Sequence, residues 1–233
     1  VLEYMPAVFP GADADVSKQA ERSLRKLGIK FKLGVAVQAA RVEGDGVVVT
    51  FQEKGTPVEL ACDRLLVAVG RVPNTDGLGA EAVGLALDGR GRIEVDEHFG
   101  TNLPGLYAIG DVIRGPMLAH KAEEEGVAVA EILAGKPGHV DYDVIPSVIY
   151  TAPEVASVGR TQQQLEEAGV AFGVGRFPFA PNGRAKAMEA TEGFVKILTE
   201  KATDRILGVH IVGPMAGELI AEAALAMAFG ASA

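Results

Sequence analysis

The chain has 233 residues, of which 48% are hydrophobic, and its formal net charge is −9 at pH 7. A chain of this size and composition is long enough for one large or two ordinary domains, each with a buried core. The acidic balance, without a cluster of Lys and Arg, argues against nucleic-acid binding, and no apolar run approaches the ~20 residues of a membrane span.

Residues 1–33 have the pattern of a strand, a helix and a second, parallel strand. Glu3 follows two apolar residues, as a carboxylate does at the end of the second strand in a doubly wound fold, where it accepts from ribose hydroxyls. A plain surface acid has the same local pattern. Asp13 or Asp15 can cap the helix, which ends before Gly28.

A three-stranded meander is predicted over 36–42, 47–52 and 58–61, and 63–69 is predicted as a nearly all-apolar strand. That strand ends in VGRVPN, where Gly70 permits a close approach of a ligand to the backbone. An ordinary Gly-Pro turn is the alternative interpretation.

The stretch 101–134 carries the strongest functional signal. Residues 106–109 are predicted as a short buried strand, and Asp111 follows Gly110 as the first polar residue. A helix is predicted to begin at Pro116, with 123–125 on its solvent face and Gly126 close to another backbone. Asp111 then either caps a turn or, beside a helix N-terminus, contacts a polyol and an electron-rich ring.

After a boundary at 138–146 the pattern changes to an α+β layer of antiparallel strands with two helices. The strands are predicted at 148–150, 155–158, 171–179, 193–198 and 206–212, and the helices at 162–168 and 216–229. The last helix is apolar around much of its circumference, so a monomer would expose part of this apolar surface to water.

No metal site and no catalytic side chain are predicted. His98, His120, His139 and His210 have no metal-ligand spacing with one another or with Cys62. Cys62, the single cysteine, has no basic group placed to activate it and is interpreted as a small buried residue. One cysteine rules out a disulfide framework and favours a reducing compartment, so a cytoplasmic protein is predicted.

The stretch TNLPGLYAIGDVIRGPMLAHKAEEEG resembles the second FAD-contacting motif of the pyridine nucleotide–disulfide oxidoreductases. Its MLAHKA form, together with PSVIYTAPEVASVG, RFPFAPNGRAKA and DRILGVHIVGP, is similar to the dihydrolipoyl dehydrogenases of that family, and the resemblance covers the whole chain. It implies an α/β and α+β fold in three parts. These are the remainder of a Rossmann-like NAD-binding domain (1–70), a central FAD-contacting domain (71–141) and a dimerisation domain (142–233).

The resemblance also implies roles for individual residues. Asp111 would accept hydrogen bonds from the ribityl chain of FAD, and the backbone of Met117, Leu118, Ala119 and His120 would face the pyrimidine side of the flavin. Glu3 would contact the NAD ribose, Val37 would lie against the adenine half of NAD, and Gly70 would lie beside the cofactor. No G-x-G-x-x-G phosphate loop occurs in the sequence.

The implied activity is oxidation of dihydrolipoyl groups by NAD+ through a redox disulfide and FAD. The implied partners are a second copy of the chain and the lipoyl domains of a 2-oxo acid dehydrogenase complex. Because the family's redox cysteines and His-Glu pair find no counterpart here, we interpret the chain as part of a longer protein. Made alone, it is predicted to lack lipoamide reductase activity and to lose FAD. The alternatives are a mercuric or glutathione reductase of the same family, or a non-catalytic dimerisation module.

Overall fold

The computed structural model describes residues 1–233. They form two compact units: the first contains Val1–Val67 and Pro146–Ala233, and the second contains Ala68–Ile145. The mixed α/β fold predicted from the sequence is confirmed, whereas the three-part domain division stays a prediction. None of the six helices has the length and apolar character needed to cross a bilayer.

The first unit begins with a short parallel pair of strands joined through a helix. Strand β1 (Leu2–Glu3) pairs with β2 (Lys32–Leu33), and helix α1 (Ala14–Lys26) lies between them in the sequence. Asp13 caps α1 by accepting from the backbone N–H of Asp15 at 3.0 Å. Gly28 follows the helix with φ of +93°, the left-handed conformation that glycine adopts at low cost.

The predicted meander is confirmed as an antiparallel sheet of β3 (Ala36–Glu43), β4 (Gly46–Glu53) and β5 (Thr56–Cys62). In the central strand Val49 and Phe51 are 2% and 0% exposed, Thr50 between them is half-buried, and Val48 on the opposite face is 9% exposed. The face that carries Val49 and Phe51 is therefore the better covered one.

The rest of the first unit is an antiparallel sheet of five strands in the order β6-β7-β10-β9-β8. Helix α6 packs against β7 and β10. The elements are β6 (Ser147–Ile149), β7 (Glu154–Gly159), α4 (Gln162–Glu167), β8 (Phe172–Pro178), α5 (Gly183–Ala187), β9 (Phe194–Glu200), β10 (Ile206–Gly213) and α6 (Ala216–Ala228). All five strands and both longer helices were predicted; the short α5, capped by Asn182, was not.

One core of the first unit joins its N-terminal helix to this sheet. Val16 and Ala20 of α1 pack with Val155, Phe194 and Val212, all of them at most 2% exposed. Segments that are far apart in the sequence thus share one apolar interior.

The second unit has little regular structure apart from α2 (Ala80–Val83), a 3₁₀ helix (Gly110–Val112) and helix α3 (Ala119–Leu133). Its core includes Phe99, Ile113 and Ala128. A second 3₁₀ helix, Tyr142–Val144, lies at its C-terminal end.

Two of the predicted strands, at 63–69 and 106–109, do not form. Residues 63–69 form no strand, and Leu66 and Val69 are 87% and 92% exposed. Residues 106–109 contribute only one bridge, between Gly100 and Tyr107. A strand needs a ladder of hydrogen bonds with a neighbour as well as apolar residues. Residues 63–69 form no such ladder, and the pairing of residues 106–109 with 99–101 stops at this single bridge.

Candidate functional site

Asp111 lies on the single 3₁₀ turn Gly110–Val112, not at the end of a strand. Gly110 has φ of +76°, so a residue with a Cβ would be strained there. The Asp111 side chain is 40% exposed, and its Oδ2 accepts from Nη2 of Arg71 at 2.9 Å. This is the only hydrogen bond that the carboxylate accepts within the chain, so acceptor capacity remains for a ligand.

The peptide groups of Gly110 are held from both sides by two buried charges on α3. The backbone N–H of Gly110 donates to Oε2 of Glu125 at 2.7 Å, and Nζ of Lys121 donates to the Gly110 carbonyl at 3.1 Å. Nζ of Lys121 also lies 2.9 Å from Oε1 of Glu125. Both side chains are at most 1% exposed, so water competes little with these bonds.

The burial of Glu125 corrects the sequence interpretation, which placed 123–125 on the solvent face of the helix. Glu123 and Glu124 are exposed, but Glu125 is fully buried. Its Oε1 also accepts from the hydroxyl of Tyr142 at 2.7 Å. Burial and the neighbouring carboxylate of Glu125 disfavour the tyrosinate and raise the pKa of Tyr142 to about 12.

Lys121 also packs against Gly115, at the far end of the loop 110–115. Gly115 has φ of +102°, and a Cβ built there would lie 2.8 Å from Cε of Lys121. The loop 110–115 is thus shaped at both ends by the side chain of Lys121.

Helix α3 begins at Ala119, three residues later than predicted, with Leu118 as its N-cap. The Leu118 side chain offers no acceptor to the first-turn amides, so the positive end of this helix is left without a side-chain cap. Met117, Leu118 and His120 are half-buried, and Ala119 is exposed. Gly126 contacts the Ile109 side chain, its Cβ position lying 3.6 Å from Cδ1, so the predicted close backbone approach was wrong.

The three residues predicted to contact NAD fall in both units. Glu3 ends β1 and accepts from the backbone N–H of Met5 at 2.7 Å, while Val37 lies on β3 and is 51% exposed. Gly70 belongs to the second unit and has φ of +116°, with open space where a Cβ would stand.

A buried ionic cluster in the first unit was missed by sequence reasoning. Nζ of Lys196 on β9 lies 2.8 Å from Oδ1 of Asp13, and the backbone N–H of Gln162 donates to Oδ2 of Asp13 at 3.1 Å. Burial opposes ionisation of Asp13, but these hydrogen bonds outweigh it and hold its pKa below the usual carboxyl value. Burial lowers the pKa of the neighbouring His210, whose Nε2 lies 3.0 Å from the Arg160 carbonyl.

The described residues bring together no group of three or more His, Cys, Asp and Glu side chains that would hold a metal ion. Cys62 has a free thiol, is half-buried, and donates weakly to the Val47 carbonyl at 3.5 Å.

Two models of one protein family match most of the chain. Residues 1–126 match a family model described as pyridine nucleotide-disulphide oxidoreductase, and residues 145–233 match the dimerisation domain of the same family. The chain is 56% identical over 233 residues to a dihydrolipoyl dehydrogenase of Cupriavidus necator. It is 54% identical over 234 residues both to a mitochondrial dihydrolipoyl dehydrogenase of Pisum sativum and to a leghemoglobin reductase of Glycine max.

In each of these comparisons the match covers 100% of this chain but only 45–49% of the relative, so the chain spans about half the length of the curated relatives it matches. Among solved structures, LpdA of Mycobacterium tuberculosis superposes with a TM-score of 0.89 at 32% identity, covering 100% of this chain and 50% of that one. The flavoprotein disulfide reductase RclA of Escherichia coli gives 0.88 at 28% identity, covering 99% and 53%. The chain belongs to the pyridine nucleotide-disulphide oxidoreductase family.

Proposed function

We propose that this chain forms part of a dihydrolipoyl dehydrogenase, which oxidises protein-bound dihydrolipoyl groups with NAD+ through a redox disulfide and FAD. The observation that carries the proposal is the half-exposed carboxylate of Asp111, presented on a fixed turn and followed by an uncapped helix N-terminus. Dihydrolipoyl dehydrogenases more than 50% identical to the chain over its whole length favour this member of the family.

The donor set suits a flavin dinucleotide. A carboxylate with acceptor capacity left over accepts from a polyol, and amides at a helix start stabilise the negative charge that a reduced flavin gathers at its pyrimidine side. Asp111 would hold the ribityl chain, and the backbone of Met117, Leu118, Ala119 and His120 would face the pyrimidine ring. FAD, when bound, supplies the two-electron chemistry between a disulfide and NAD.

On the nicotinamide side, Glu3, Val37 and Gly70 would contact NAD. Glu3 ends a parallel strand and keeps acceptor capacity for a ribose hydroxyl pair, since only one backbone N–H donates to its carboxylate. Gly70 leaves room for close approach because it has no side chain.

We further propose a homodimer formed through the C-terminal domain, lipoyl domains of a 2-oxo acid dehydrogenase complex as partners, and a cytoplasmic location. The match of residues 145–233 to a dimerisation domain supports the homodimer. The free thiol of Cys62 is in keeping with a reducing compartment.

The test uses the gene-encoded polypeptide that contains this chain. NAD+-dependent oxidation of dihydrolipoamide is expected to be its fastest reaction when glutathione disulfide, Hg(II) and ferric leghemoglobin are assayed in parallel. Asp111→Asn should weaken FAD binding about tenfold, the equivalent of one hydrogen bond to a charged group, whereas Asp76→Asn at an exposed site should not. Faster turnover of any competing substrate would reject the assignment.

The 233-residue chain made alone provides a second test. It is expected to show no lipoamide reductase activity and to lose FAD on desalting, because it contains no G-x-G-x-x-G phosphate loop and no cysteine pair. A yellow, flavin-loaded preparation of this chain would contradict that expectation.

A further inference from the structure

We propose that Lys121, Glu125 and Tyr142 are positioning residues for the flavin, acting through the Gly110 peptides to fix the orientation of Asp111. The inference rests on the proposed function, because it concerns how Asp111 meets the ribityl chain. None of the three side chains needs to touch the cofactor.

The first support is the cost of the arrangement. Taking an ammonium and a carboxylate out of water carries a desolvation penalty of several kcal/mol per ion, and apolar residues of similar volume are often as stable. Lys121 and Glu125 are nevertheless buried to 1% exposure or less on a helix whose other two glutamates in the same run are exposed. A gain in stability alone therefore does not explain why this ion pair is buried.

The second support is where the hydrogen bonds go. The N–H and the C=O of one residue, Gly110, are taken by Glu125 and Lys121 respectively. Asp111 is the next residue along the chain, so these bonds fix the peptide plane from which its carboxylate projects. Since Gly110 is in the left-handed region and lacks a Cβ, its own conformational preferences hold this plane only weakly.

The third support is that the ionic pair is itself held in place. Tyr142 donates to Oε1 of Glu125, and Cε of Lys121 lies against Gly115, so both side chains have a further contact that limits their rotation. The Arg71 guanidinium at 2.9 Å then orients the Asp111 carboxylate from the exposed side. A flavin would thus meet an acceptor that is already oriented, which lowers the entropy lost on binding.

A double-mutant cycle on the gene-encoded polypeptide tests this role. FAD dissociation constants are measured by flavin fluorescence for the unaltered protein, Asp111→Asn, Glu125→Gln and the double variant. Glu125→Gln is expected to raise the constant about tenfold in the unaltered background. In the Asp111→Asn background the rise should be under about twofold, because a positioning residue has nothing left to position.

Two further variants keep the test interpretable if Glu125→Gln folds poorly. Tyr142→Phe keeps the ion pair of Lys121 and Glu125 and removes one hydrogen bond. The FAD dissociation constant is therefore expected to rise about threefold, again only when Asp111 is present. Asp88→Asn breaks another (i, i+4) ion pair of the same unit, that with Arg92, and should leave the constant unchanged while lowering the thermal midpoint.

The outcomes separate the two proposals. Equal rises in both backgrounds would mean that Glu125 and Tyr142 act only on the fold, which overturns the positioning role and leaves the proposed function standing. Unchanged FAD affinity in Asp111→Asn itself would reject the flavin contact of Asp111, and with it both proposals.

Discussion

The ammonium of Lys196 and the carboxylate of Asp13 lie 2.8 Å apart, although 183 positions separate them in the sequence. Asp13 caps α1, whereas Lys196 lies on the buried face of β9. The pair therefore ties the helix that follows the first strand to the sheet formed by the C-terminal segment, beside the apolar contacts of Val16 with that sheet.

Replacing Lys196 by Met should destabilise the first unit by about 3–5 kcal/mol, because it leaves the buried Asp13 without its counter-charge. The double variant Asp13→Asn/Lys196→Met should recover most of that loss. Urea unfolding measures both. The matched control is Lys26→Met, which breaks the exposed ion pair with Glu192 and should cost at most about 1 kcal/mol. Equal losses for the two lysines would contradict the importance of burial.

The burial of His210 makes the stability of the first unit depend on pH. The cause is the removal of the imidazole from water, not the loss of an ion pair. Burial holds its folded-state pKa below the ordinary value of about 6.5, so in the unfolded chain it binds a proton at higher pH than in the folded chain. Its contribution is fully present above pH 6.5 and is lost as the pH falls from there toward the folded pKa. The slope from this group is at most about 1.4 kcal/mol per pH unit.

Unfolding free energies measured between pH 7.5 and 5 should therefore fall less steeply for His210→Gln than for the unaltered chain. His98→Gln, at an exposed position, provides the matched control and should keep the original slope. Parallel curves for the unaltered chain and His210→Gln would show that the ring titrates alike in both states.

Apolar residues, in alternation or in short continuous runs, made the strands of the first unit predictable, whereas the pairing partners were not. The meander of β3 to β5 and the five strands that follow residue 146 were all predicted in this way, and β10 is buried at six consecutive residues. Residues 63–69 have the same apolar character, but they form no ladder within the chain. Strand formation depends on a neighbour that the local sequence does not contain.

A residue of the candidate site was predictable only where its role follows from its neighbours in the sequence. Asp111 stood out as the first acid after an apolar run and a glycine. Glu125 did not, because charged residues spaced (i, i+4) on a helix normally lie on its exposed face. Lys196 gave a usable signal that was overlooked: it alternates with Phe194 and Leu198, both buried, and therefore shares their face of the sheet.

The hydroxyl of Tyr142 should be identifiable by its titration. Because its folded pKa of about 12 exceeds the ordinary value of 10, the contribution of this group to stability is complete below pH 10 and is lost as the pH rises toward 12. A rapid pH jump followed by ultraviolet absorbance should show a tyrosine phase near pH 12. Tyr142→Phe should lack that phase, and Tyr150→Phe, at an exposed ring, should retain it.

The apolar surface of α6 leads to a prediction about association. Leu219, Leu225 and the adjoining Phe229 are 42%, 61% and 83% exposed, while Ala216, Ile220 and Met227 of the same helix are buried. The helix thus keeps apolar side chains on its outer side after its inner side has packed on the sheet. If this surface lies in the proposed dimer interface, a charge placed on it would have to be buried unpaired when two copies associate.

Leu225→Asp is accordingly expected to weaken self-association by at least about tenfold in sedimentation equilibrium, with little loss of thermal stability in the monomer, because Leu225 is largely exposed there. Val42→Asp is the matched control: it introduces the same charge at an 81% exposed apolar residue of the separate meander sheet. Association that is weakened equally by both substitutions would point to general charge repulsion between acidic chains. Association unchanged by Leu225→Asp would place the interface on another surface of the C-terminal segment.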